Sequence, residues 1–263
     1  KHGSDTVKLK NCTACRLVKY CGVDCQKAHR KQHKGACKKR VAELKDEQLY
    51  SQGHERPEGD FCPICTLPIP IPMGRYSSFN CCCMKRICKG CDMAAQGRGM
   101  RDCPFCRTPY KARDADNLAM IMARVKKKDP VAINYLGSMY SNGILGVQKD
   151  TVKAVELYAE AAEFGSIEAL CNLAVAYDRG DGVGQDKAKA TELYKKAAMQ
   201  GHVESRHNIG CDEVKKKNYH LAVRHWGIAA KMGHKPSLEI IEKLFKKCFK
   251  AGFVTKGRSE EHT

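Results

Sequence analysis

The sequence predicts a mainly helical protein in which two small metal-stabilised fingers precede a short helical solenoid. Three observations carry this reading. Of 17 cysteines in 263 residues, five fall in 12–37 and nine in 62–106, leaving only Cys171, Cys211 and Cys248 for the second half. Many stand in CxxC pairs, the spacing at which two thiols turn back onto one tetrahedral ion. Beyond residue 129 the chain repeats itself every 36 or 37 residues, a period that marks stacked helical hairpins.

A disulfide framework is the competing explanation for so many cysteines. The pairs sit too close for ordinary bridges and no apolar signal segment opens the sequence, so metal is favoured, in an intracellular setting of cytoplasm or nucleus. No apolar run is long enough to span a bilayer. The formal charge of +18 suggests nucleic acid, but zinc-bound cysteines are thiolates, and three sites bring the net charge to roughly +13. The lysines lie in short scattered clusters such as Lys126–Lys128 and Lys215–Lys217. No dense basic tract is interleaved with aromatics, so solvated faces explain the charge better than a nucleic-acid surface.

In residues 1–37 the ligand candidates are Cys12/Cys15, Cys21/Cys25 and His33/Cys37. His33 and Cys37 stand four apart in a stretch suited to a helix, which places them on one face where they can share an ion. His29 is read as a solvent-facing helix residue. The sequence YCGVDCQKAHRKQHKGAC, with Cys12-x-x-Cys15 ahead of it, resembles the second half of a MYND zinc finger. That resemblance implies one full zinc site of Cys12, Cys15, His33 and Cys37. It assigns Cys21 and Cys25 to a second, interleaved site completed by a CxxC pair ahead of Lys1. Residues 38–60 read as a short helix followed by a surface linker, broken by Gly53, Pro57 and Gly59.

Residues 61–107 contain FCPIC, CCCMKRICKGC and DCPFCR, enough paired thiols for two zinc ions. The segment resembles a RING-type finger, which interleaves its two sites. The resemblance implies Cys62, Cys65, Cys88 and Cys91 at one ion, and Cys103 and Cys106 at the other. The usual Cys-x-His is replaced by the run Cys81-Cys82-Cys83. Cysteine-rich relatives favour Cys82 with Cys83 as the remaining ligands, while Cys81 with Cys83 preserves the Cys-x-ligand spacing. In ubiquitin-ligase RINGs an aliphatic residue and a proline contact the ubiquitin-conjugating enzyme, and a basic residue after the last ligand holds ubiquitin. Ile64, Pro104 and Arg107 occupy those positions. Such a module supplies no nucleophile or acid–base group; it positions a loaded enzyme.

Residues 114–128 form a connecting helix, with Leu118, Ile121, Met122 and Val125 on one stripe. Repeat 1 spans 129–165, repeat 2 spans 166–201, a decayed repeat 3 spans 202–233, and 234–255 make a capping helix. Asp129, Asp150, Ser166 and Asp186 are natural N-caps, and Gly165, Gly201 and Gly233 stand where a helix ends in a left-handed residue. Paired alanines at 161/162 and 197/198 allow close helix crossing. The three cysteines of this half are read as core or idle thiols. The pattern A-x-x-x-L-G-x-x-Y-x-x-G, then D-x-x-x-A-x-x-x-Y-x-x-A-A-x-x-G, resembles Sel-one-like repeats, cousins of the TPR. The three resemblances together imply a zinc-binding scaffold or adaptor for other proteins or peptides. The alternative is a RING-type ubiquitin ligase whose repeats recruit the substrate.

Overall fold

The computed structural model describes residues 9–250, with side chains through 247; Cys248 and the end of the capping segment therefore lie outside the described side chains. The chain divides into two compact units, one up to Gln52 and one from Gly53 onward.

In the first unit, β1 (Lys10–Asn11) and β2 (Lys19–Tyr20) pair antiparallel and lead into α1 (Val23–Ser51). Helix α1 runs unbroken through the stretch that carries His33 and Cys37 and through the short helix expected after residue 38. Its interior Gly35 costs an isolated helix only about 1 kcal/mol, too little to interrupt one anchored by His33 and Cys37.

The second unit opens with residues 53–60, expected to be a surface linker but laid against the helical repeats. The Gly53 carbonyl faces the Arg206 guanidinium at 3.5 Å, and the same nitrogen donates to Ala198 O at 2.9 Å. Arg206 is fully buried, and a buried cation must collect acceptors; the linker backbone supplies one. Next come α2 (Met73–Tyr76), the antiparallel pair β3 (Ser77–Asn80) and β4 (Lys85–Cys88), and α3 (Lys89–Gly97).

Helix α4 (Asp114–Val125) buries Ile121 completely, with Leu118 and Val125 at the margin; Met122, placed on the same stripe, is exposed instead. Six helices of 13 residues follow in three antiparallel pairs: α5 (Pro130–Asn142) with α6 (Thr151–Glu163), α7 (Ile167–Arg179) with α8 (Lys187–Met199), and α9 (Val203–Lys215) with α10 (Tyr219–Lys231). Helix α11 (Lys235–Lys250) follows and packs on α10. Asp129, Asp150, Ser166 and Asp186 each cap a helix through a side-chain oxygen, as expected. At the starts of α9 and α11 the caps are His202 and His234, whose Nδ1 atoms accept the N–H of Ser205 at 3.1 Å and of Ser237 at 3.3 Å. Gly165, Gly201 and Gly233 are all left-handed.

The core runs through the pairs: Tyr158, Leu173, Ala174, Leu193, Tyr194 and Ile209 form one cluster. The position eight residues past each cap of α5, α7 and α9 is Gly137, Ala174 and Gly210, and the aromatic of the second helix lies against it. In α11 that position is Glu242, which is exposed. A charged side chain stands there in place of the small residue of the other three helices, so α11 does not repeat their close crossing.

Candidate metal centres

Three groups of four ligand atoms converge, each with all atoms within 4.8 Å of one another: Cys12, Cys15, His33 and Cys37; Cys62, Cys65, Cys88 and Cys91; Cys82, Cys83, Cys103 and Cys106. The chain builds each on the same local device. In Cys12–Cys15, Cys62–Cys65 and Cys103–Cys106 the residue after the second cysteine (Arg16, Thr66, Arg107) is left-handed, with φ between 58° and 62°. Its N–H returns to the carbonyl of the first cysteine at 2.8–3.0 Å. The turn aims both thiols to one side. The other half of each site comes from the middle of α1, from the β4–α3 junction, or from the turn between β3 and β4.

The separations suit a tetrahedral ion. With Zn–S near 2.3 Å, two thiolates on one zinc stand about 3.8 Å apart. Cys12 and Cys37 are 4.0 Å apart, Cys65 and Cys88 3.8 Å, Cys83 and Cys103 3.8 Å, and Cys82 and Cys106 3.4 Å. The His33 Nε2 lies 3.1 Å from Cys15 Sγ.

The electrostatics call for a cation. The N–H of Cys15, with help from His33, holds Cys12 down at about 6. Burial opposes charge on Cys62 and Cys106. Backbone N–H groups of Cys65 and Cys88 nevertheless bring Cys62 to about 6, and the Thr108 hydroxyl and N–H do the same for Cys106. Their neighbours go the other way. Burial first, and the adjoining thiols second, push Cys37 and Cys83 up to about 11 and raise Cys82 and Cys91 further. One thiolate per cluster forms readily, but a full set needs a metal ion to offset the mutual repulsion.

Of the three consecutive cysteines, Cys82 and Cys83 join the third group and Cys81 does not; its thiol donates to Asn117 Oδ1 at 3.3 Å. Cys21 and Cys25 are exposed and enter no such group among the described residues. His29 enters none of the three groups and is half-buried, stacking on His33 with ring centroids 5.8 Å apart and meeting the Tyr20 hydroxyl at 3.4 Å. Ile64 and Arg107 are exposed, while Pro104 is half-buried. Cys171 is buried in the core and Cys211 is half-buried. Sequence reading missed Arg124, whose Nε and Nη2 donate to the Cys82 carbonyl at 3.2 and 3.1 Å. No local spacing links residues 42 apart.

Residues 130–166, 167–202 and 212–234 match the Sel1 repeat family, and residues 2–37 match the MYND finger. The Sel1 matches cover α5 to α8 and, in the third pair, the end of α9 with α10. MYND fingers bind zinc, which agrees with the cysteine–histidine group in that segment. Neither match extends over 61–107. No curated protein matches the chain. Among solved structures, a Sel1 repeat protein from Oxalobacter formigenes is similar at 32% identity over 46% of this chain and 51% of that one, with a TM-score of 0.43. The protective antigen c5321 of uropathogenic Escherichia coli, which displays an SLR fold, is similar at 26% identity over 54% of this chain and 30% of that one, with a TM-score of 0.49. The chain thus spans about half or less of the length of these relatives. Among the described residues no helix is long and apolar enough to cross a membrane.

Proposed function

We propose that the protein is an interaction adaptor, rigidified at its cysteine-rich end by three zinc ions and binding other proteins or peptides through its fingers and repeats. The observation that carries this is the combination of a MYND finger with Sel1 repeats in one chain, since such repeats imply protein binding in general. The zinc assignment rests on the three four-ligand groups and their separations. Cys12, Cys15, His33 and Cys37 hold one ion; Cys62, Cys65, Cys88 and Cys91 the second; Cys82, Cys83, Cys103 and Cys106 the third. Cys21 and Cys25 await a partner pair from elsewhere.

A second reading is a RING-type ubiquitin ligase. It is favoured by the exposure of Ile64, 44% accessible where a core residue would be covered, and of Arg107 on the turn after the last ligand. In that reading Ile64 and Pro104 contact a ubiquitin-conjugating enzyme and Arg107 holds the loaded ubiquitin. One assay separates the two: ubiquitin discharge from a panel of conjugating enzymes by the zinc-loaded protein. A ligase discharges ubiquitin, loses conjugating-enzyme binding by more than ~1 kcal/mol in Ile64→Ala, and slows discharge in Arg107→Ala. Silence across the panel leaves the adaptor.

A further inference from the structure

The turn between β3 and β4 that carries Cys82 and Cys83 has two working sides. The two thiols face Cys103 and Cys106. Their immediate neighbours face the helices. Cys81 bonds Asn117 on α4, and Met84 is buried with Ile121, Ala132, Leu136 and Met139 from α4 and α5. Phe79, just upstream, meets the Tyr135 ring with centroids 4.4 Å apart. The Cys82 carbonyl takes two hydrogen bonds from Arg124, whose remaining Nη1 donates to Asp129 Oδ2 at 3.0 Å. Asp129 is itself the cap of α5, accepting from Val131 and Ala132 through its other oxygen. A chain of direct contacts therefore runs from the third thiol cluster to the first turn of repeat 1.

The turn is also strained: Met84 is left-handed at φ 56°, where an L side chain persists only if its surroundings over-determine it. The determinants here are the two sides just described, the thiol cluster and the α4–α5 core.

From this we infer that zinc at Cys82, Cys83, Cys103 and Cys106 is the N-terminal lock of the helical array, with Arg124 as its positioning residue. The inference rests on the reading that this cluster holds zinc. When the ion leaves, protonated or repelling thiols no longer hold the turn. The Cys82 carbonyl then moves off Arg124, Met84 loosens from its pocket, and α4 and α5 lose their cover. The coupling is reciprocal, so loosening Arg124 weakens the ion's grip. Repeats 2 and 3, which bury their own faces against each other, are spared.

The test is hydrogen exchange on the full chain combined with zinc counting. Cys106→Ser removes this ion without altering the turn itself, because Cys106 is exposed and lies on the opposite knuckle. It should speed amide exchange in residues 114–142 by about tenfold or more, a sub-global opening, while α8 to α10 keep their protection. Cys91→Ser, which empties the neighbouring site, should leave 114–142 unchanged. Arg124→Met should release one of three zinc ions several-fold faster to a chromophoric chelator; Arg124→Lys, which keeps the charge and loses the fork, should fall between. If Arg124→Met does not fold, the lysine variant and Cys106→Ser decide the matter. Loss of one of the three zincs from Cys106→Ser with unaltered exchange in 114–142, or unaltered release in both Arg124 variants, would overturn the lock alone. A protein that binds no zinc would overturn the metal reading as well.

Discussion

Trp226 lies across Gly210: a Cβ built there would stand 2.5 Å from the indole Nε1. The indole is pinned, donating to the His207 carbonyl at 3.2 Å. Gly137 and Tyr158 repeat the arrangement in the first pair, with a built Cβ 2.8 Å from the ring. Gly210→Ala is therefore expected to lose about 1–3 kcal/mol to overpacking, against a helix-propensity gain of about 1 kcal/mol. Gly137→Ala should cost less than Gly210→Ala, because the built Cβ meets the Tyr158 ring at 2.8 Å where that of Gly210 meets the indole at 2.5 Å. Urea unfolding of the two variants checks the order; equal effects would contradict it.

Zinc counting distinguishes the thiols. The intact chain should retain three zinc ions in native mass spectrometry. Cys81→Ser, Cys21→Ser and Cys25→Ser should each keep three, whereas Cys83→Ser and Cys103→Ser should each keep two. A loss on Cys81→Ser would transfer its role from the Asn117 contact to the metal.

Acid should weaken the helical array through its buried histidines. Burial first, then Arg206, brings His225 to about 4; burial first, then His207, brings His234 to about 4. Both ordinary values are 6.5. Between pH 6.5 and 4 the unfolded chain binds more protons than the native one, so stability is full above pH 6.5 and is lost on descending to 4. After discounting for solvent access the loss is about 2 kcal/mol. His234→Asn preserves a good N-cap without a titrating ring. It should match the parent at pH 7.5 and lose less between pH 6.5 and 4.5 in thermal melts.

Thr66 is a β-branched residue held at φ 59°, a conformation that costs an L residue roughly 1–2 kcal/mol. Thr66→Gly should relieve that strain. Its finger should then resist chelator at a higher concentration, read as zinc release with time. Faster release would mean that the Thr66 side chain contributes more than its backbone costs.

The helical half was legible because its physics is local and repeated. A cap, a small residue and an aromatic recur at fixed spacing, so Asp129, Ser166 and Asp186 could be placed from residue type alone. His202 and His234 escaped notice because histidine is a rare cap, and only the buried Ser205 and Ser237 reveal the role. Among the ligands, CxxC pairs announce themselves, but a run of three cysteines does not say which faces the metal. That depended on Asn117 and Met84, one distant in sequence and the other unremarkable in type. The seating of residues 53–60 was equally silent, because its anchor is an arginine about 150 residues downstream.

Glu242 sets α11 apart from the helices before it. Tandem helical pairs can in principle be gained or lost by unequal recombination, since each pair offers the same face as the last. A carboxylate at the crossing position makes the face of α11 unlike those of α5, α7 and α9, and a helix packed closely over it would bury a charge. Among the described helices, exchange of whole pairs is therefore tolerated only ahead of α11.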